Sequence, residues 1–151
     1  MSTTEQRSKE EVFAQIDAGW QNWLDAIADL DNAAMIQAGA CGDWSVKDLA
    51  FHLAFWDEQA EFDAGYRFEH NGEAPPERDW QAMNEEDHAR QRERPVSDAL
   101  KVMSMTHISL LHTLEKFGNQ DLSWAIADLK DHYDEHAAQV RAWRQTRGIP
   151  A

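Results

Sequence analysis

His132 and His136 stand one helical turn apart, so on a helix their imidazoles leave the same face with Cβ atoms about 5–6 Å from each other. Two imidazoles at that spacing can bind one metal ion. The pair alone says little, because seven histidines in 151 residues produce about 0.3 such pairs by chance. A third histidine adds weight. His52 lies one turn from both Leu49 and Trp56, on the inward half of an amphipathic segment. Three imidazoles with coordination positions left over are the form of a catalytic or ligand-accepting centre, not of a closed structural one. On spacing alone, the three are either ligands of a divalent ion or neutral histidines satisfied within a core.

Other readings of the same residues fall away. His132-Tyr133-Asp134-Glu135-His136 spells H-x-x-E-H, a metalloprotease pattern, yet only 15 residues follow His136 where such an enzyme needs a distant third ligand. A di-iron bundle needs Glu-x-x-His from each of two helices; this chain has one, Glu85–His88. His107 reads as a structural histidine hydrogen-bonded in the core. Cys41 precedes a helix start, where a thiolate could be favoured, but no partner base accompanies it and an ordinary loop cysteine is the plainer reading. Asp48 and Asp128 each precede a candidate ligand by four residues and could orient imidazoles; Asp48 is also claimed by a helix cap. No catalytic side chain stands out.

The elements that must position these side chains are legible in the apolar spacing. Val12, Ile16, Trp20, Trp23, Ile27 and Leu30 form a first stripe, and Val46, Leu49, Leu53, Trp56 and Ala60 a second. Leu100, Met103, His107, Leu110, Leu114 and Phe117 form a third; Ile126, Leu129, Tyr133, His136, Val140 and Trp143 form the fourth. All run at steps of three and four, the period of a helix with one buried face. Four such segments without strand-like alternation predict an all-α four-helix bundle spanning residues 1–151 as a single domain. A short extra helix is expected from Glu77 to about Arg92, between helices two and three.

The punctuation fits that plan. Ser45 and Asp48 form a capping box at the start of helix two. Gly39 and Gly42 separate helices one and two, and Asn71-Gly72 with Pro75-Pro76 ends helix two. Pro95 opens helix three with Ser97 as its expected N-cap. Gly118-Asn119 closes helix three, and Gly148 with Pro150 closes helix four. Arg141, Arg144 and Arg147 are expected on a solvated face, complementing the negative end of helix four.

Composition narrows the class of partner. The chain carries 14 Lys+Arg against 28 Asp+Glu, a formal charge of −14. A nucleic-acid binder needs a basic face to displace counterions from phosphates, so nucleic acid and anionic membranes are poor partners. Seven tryptophans and 42% hydrophobic residues supply a core and argue against disorder. A single cysteine fits a reducing compartment. The Met1-Ser2-Thr3-Thr4-Glu5-Gln6-Arg7 start has no apolar stretch of a secretory signal, and no run approaches the roughly 20 residues of a membrane span. The expectation is a cytoplasmic protein.

Gly42-Asp43-Trp44-Ser45-Val46-Lys47-Asp48-Leu49-Ala50-Phe51-His52-Leu53-Ala54 carries W-S-x-K-D-x-x-x-H-L, and His132 to Trp143 carries H-x-x-x-H followed by Trp. Together they resemble the DinB-like superfamily, closest to the branch of mycothiol-dependent maleylpyruvate isomerase and the ClbS/DfsB proteins. The resemblance spans nearly the whole chain, including Asn84 and the helix beginning near Pro95. It implies a four-helix bundle holding a divalent metal on His52, His132 and His136, with zinc, nickel and iron the leading identities. It further implies a metal-dependent thiol S-transferase-type enzyme, using a low-molecular-weight thiol on a small electrophilic molecule. Two alternatives stay open: a metal-free hydrolase or protective binder of a reactive metabolite, and a non-enzymatic helical bundle whose stripes partly serve a homodimer.

Overall fold

The computed structural model describes residues 8–150; the Met1–Arg7 segment read for a secretory signal lies outside them. Helix α1 (Lys9–Ile27) starts where the Ser8 side chain accepts a hydrogen bond from the Glu11 amide, and it buries Val12, Ile16, Trp20 and Trp23. It stops short of Leu30, expected as the last rung of its stripe. Asp29 takes a positive φ of 63°, which no helix continues through, and Leu30 packs on the core from the turn beyond. Asp31 then caps a four-residue helix, α2 (Asn32–Met35). That helix is an addition to the expected plan, too short for any periodicity to register.

Helix α3 (Val46–Glu69) opens on the expected capping box. The Asp48 amide donates to Ser45 Oγ at 3.1 Å and the Ser45 amide donates to Asp48 Oδ2 at 2.9 Å. The extra helix appears as α4 (Trp80–Gln91), capped by Asp79. Helix α5 (Val96–Lys116) begins two residues earlier than a cap at Ser97 would start it: Pro95 holds the cap position, and its carbonyl accepts from the Ala99 amide at 3.2 Å. Ser97 therefore lies inside the first turn. A five-residue π-helical turn, Ile126–Lys130, leads into α6 (Asp131–Arg147), which ends on Gly148 at φ 68°, a conformation only glycine adopts cheaply.

The four long helices α1, α3, α5 and α6 form the bundle. α3 runs along α5 and α1 along α6, with α4 laid against α3. Across the interior the Trp23 indole donates to the Met103 sulfur at 3.0 Å. Trp23, Ile16, Leu49, Leu53, Leu110 and Leu129 lie at its centre with at most 1% exposure, each worth about 1.5–3 kcal/mol of transfer free energy. Among the described residues there is no strand, and no helix is long and apolar enough to cross a membrane.

The cluster of arginines on α6 corrects one expectation. Arg144 does not lie on a solvated face: it is 2% exposed. Its guanidinium donates to the carbonyls of Ala26 and Ala28, both at 2.8 Å, and to that of Pro150. It thus complements the negative end of α1, not of its own helix. Arg141 donates to the side chain and carbonyl of Asn22, and Arg147 reaches the Ala38 carbonyl at 3.4 Å. All three fasten α6 to α1 and its following loop. Arg144→Ala leaves the carbonyls at the end of α1 unpaired in the interior and should cost on the order of 3 kcal/mol in urea unfolding. Arg144→Lys should recover little of it, because a point-charge ammonium does not span what the planar fork spans.

Candidate metal centre

The capping box fixes where α3 begins and so which face His52 occupies, two turns in. His132 lies in the first turn of α6, immediately after the π-helical turn, with His136 one turn on. These elements bring all three sequence-predicted histidines together. His52 Nε2 is 3.0 Å from His132 Nε2, and His136 Nε2 is 2.9 Å from the same atom. Among the described residues they are the one group of candidate metal-ligating side chains whose donor atoms all lie within 4.8 Å of each other.

The tautomers make this convergence chemically pointed. His136 Nδ1 lies 2.7 Å from Gln139 Oε1, an acceptor, so Nδ1 carries the proton and Nε2 presents a bare lone pair. Burial, reinforced by the charge His136 would carry, pushes His52 down to about 3. Burial, then His136 and His52, pushes His132 down to about 2. Burial also lowers His136, against the opposing pull of Gln139 and Glu135. The three rings are therefore neutral donors at physiological pH. One proton between two rings can satisfy part of the cluster; a cation can satisfy all of it. Donors about 2.0–2.1 Å from one ion in tetrahedral array sit about 3.3 Å from each other, and the two contacts of His132 Nε2, at 3.0 and 2.9 Å, are close to that. The three could hold one metal ion.

They lie on the wall of a cavity of about 750 Å³. Trp44 sets its ring edge-on to His52, with centroids 5.2 Å apart. Trp56 lines the cavity, and its indole donates to Asn84 Oδ1 at 2.6 Å, tying α3 to α4. The model of the mycothiol maleylpyruvate isomerase N-terminal domain family matches residues 16–148. The chain belongs to this family. The family is part of the DinB-like superfamily, so the resemblance carried by the two histidine motifs is correct. No curated protein and no solved structure is significantly similar to the chain.

Within this family member the other candidate residues fall outside the triad. His88 of the Glu85–His88 pair stacks on Trp44 at 4.8 Å and approaches Asp48 at 3.4 Å. Asp48 is taken up by that contact and by the cap, and Asp128 lies on the cavity wall. Neither hydrogen-bonds to a triad imidazole; Gln139, three residues past His136, holds that ring instead. Cys41 also lines the cavity, but burial, with Glu135 second, pushes its thiol up against a hydrogen bond from Gln139. It is a thiol, not the thiolate a helix start could favour.

Behind the triad runs a buried polar chain. Trp20 stacks on His107 at 3.9 Å, and His107 Nδ1 lies 3.0 Å from the Tyr133 hydroxyl, which donates to Asp57 Oδ2 at 2.8 Å. The expected structural role of His107 is what this geometry shows. Asp57 escaped notice, although an acid on the inward face of α3 was a readable signal. Burial pushes its carboxyl well above the usual range, with Glu61 and Glu58 adding to the shift against the Tyr133 hydrogen bond.

Burial holds His107 down to about 4, with Asp17 opposing; Tyr133 faces it from α6. Between about pH 6.5, the unfolded value, and about 4, the unfolded chain binds a proton there that the folded chain does not. The contribution of His107 is thus complete above pH 6.5 and lost as the pH falls towards 4. His107→Gln should flatten the dependence of the urea midpoint over that window by up to one proton, while lowering stability at pH 7.

Proposed function

We propose that this chain is a metal-dependent enzyme of the thiol S-transferase type, with His52, His132 and His136 holding one divalent ion. The observation that carries the reading is three neutral imidazoles aimed at one point on the wall of a cavity large enough for a small molecule. A dication held there would stabilise a thiolate at neutral pH. The S–H bond breaks with its proton passing to solvent, and the sulfur bonds to the electrophilic carbon of the second substrate as that carbon's bond to its leaving group breaks, the leaving group taking a proton from solvent. Three protein ligands leave coordination positions open. Gln139 orients His136, and Trp44 packs against His52. α4, fastened through Asn84 and Trp56, covers the cavity and limits bulk water. Family membership supports a low-molecular-weight thiol as the cosubstrate class.

Protein purified without exposure to a nickel column should contain one divalent metal per chain by elemental analysis. His52→Ala and His132→Ala should each release it with the helical spectrum intact, while His107→Ala should keep the stoichiometry and lose stability. A metal-free, folded wild-type chain sinks the site. Metal-loaded protein should conjugate a low-molecular-weight thiol, mycothiol among those tried, to small electrophiles, and chelated protein should not. Full occupancy without chelator-sensitive turnover would leave the protective binder as the better account.

A further inference from the structure

We propose that a small molecule bound in the cavity carries a carboxylate, received by Arg67 at the end of the wall remote from the triad; this rests on the cavity being the substrate site. One face of α3 lines the cavity: His52, Trp56, Ala60, Asp63 and Arg67 follow at steps of four, four, three and four. From His52 to Arg67 the helix axis runs about 22 Å, at about 1.5 Å per residue. The triad thus stands at one end of this face and a guanidinium at the other.

The protein itself makes little use of that guanidinium. Among the described residues its one hydrogen bond runs from Nη1 to the Gly72 carbonyl, at 3.5 Å. Arg67 Nε is buried and has no partner, a rare and costly condition for a donor in a native interior. Nε and Nη2 form the side edge of the fork, two parallel N–H groups that match the two oxygens of a carboxylate. The guanidinium lies over the Trp124 ring, 4.8 Å from its centre; stacking of this kind holds the plane and leaves the in-plane donors for a ligand. Arg78, the other arginine on the wall, is already spent. It donates to both oxygens of Asp63, at 2.9 and 3.3 Å, and to Gln59 Oε1 at 2.8 Å. That pairing also occupies Asp63, the acid one turn before Arg67. Asp128 and Arg67 act on each other through charge alone, without a hydrogen bond, and burial, with Asp63 second, pushes the Asp128 carboxyl up against the pull of both arginines. Glu77, Asp131 and Glu135 also line the cavity. They disfavour an anion along the rest of the wall, which leaves Arg67 as the place that receives it.

Two matched pairs, titrated into the full chain and followed by tryptophan fluorescence and ligand-observed NMR, test this. Glutathione against its diethyl ester asks whether the thiol carries the carboxylate; cinnamate against cinnamamide asks whether the electrophile does. Titrations on chelated protein keep a carboxylate from scoring by ligating a metal, and are repeated after metal loading. In at least one pair the acid should bind about tenfold more tightly than its uncharged partner. Arg67→Gln should bring the two members of that pair together, and Arg67→Lys should recover only part of the difference, since an ammonium lacks the planar fork. Asp128→Asn removes the competing charge and should tighten the acid, a gain that misfolding cannot imitate. No preference in either pair, no binding by any of the four, or a preference that survives Arg67→Gln overturns the proposal. A chain that takes up no metal but keeps the Arg67-dependent preference removes the metal-dependent reading alone. A metal-loaded chain with chelator-sensitive turnover and no such preference removes this one alone.

Discussion

Three imidazoles whose Nε2 atoms converge, those of His52 and His136 each about 3 Å from that of His132, are the constraint around which the bundle is arranged. One helical residue is about 100° of azimuth, so a slip of either helix by one position separates His52 from the α6 pair. The starts of both helices are accordingly fixed by local devices. Ser45 and Asp48 set the first residue of α3, and the π-helical turn sets the phase of α6 directly before His132. The Tyr133–Asp57 hydrogen bond then crosslinks the two helices one residue away from His132. Single π turns inside helices recur at functional sites because they re-aim the side chains that follow.

The same arrangement explains why a bundle core carries so much polarity. Apolar side chains at positions 57, 107, 133 and 144 would pack the interior with less desolvation cost. The polar groups are instead used as crosslinks: Arg144 joins α6 to the end of α1, and Tyr133 joins α6 to α3 and α5. Each holds α6, the helix that brings two of the three histidines, against a different neighbour. The buried Trp, Leu and Ile side chains around Trp23 supply the hydrophobic stabilisation that offsets these polar groups. Acid pH acts against the whole set, since every buried histidine of the site has its proton affinity lowered by burial.

Much of this was legible in the chain. The four stripes place α1, α3, α5 and α6 because a helix with one buried face repeats its apolar residues at three and four. The capping box was readable because both partners lie within four residues, and His52, His132 and His136 were readable because ligand type and face coincide. What was not legible depends on partners distant in sequence. Arg144 has the sequence of a solvated dipole complement; only the approach of α1 turns it into a buried crosslink. Gln139 looks like any exposed glutamine until His136 turns its Nδ1 towards it. The π turn leaves no pattern, since its residues continue the same apolar steps. The α2 helix is shorter than one period.

The division of labour in the molecule follows from where each part lies. The three histidines are on α3 and α6, and the donors they offer are neutral imidazoles. Much of the remaining cavity wall comes from other pieces: Trp44 and Cys41 from the loop before α3, Glu77 and Trp80 from the segment leading into α4, and Asp128 from the π turn. These pieces are attached to the bundle by few contacts, such as Trp56 with Asn84 and Arg78 with Asp63. A shared scaffold therefore specifies the placement of the three imidazoles far more tightly than it specifies any molecule the cavity would take.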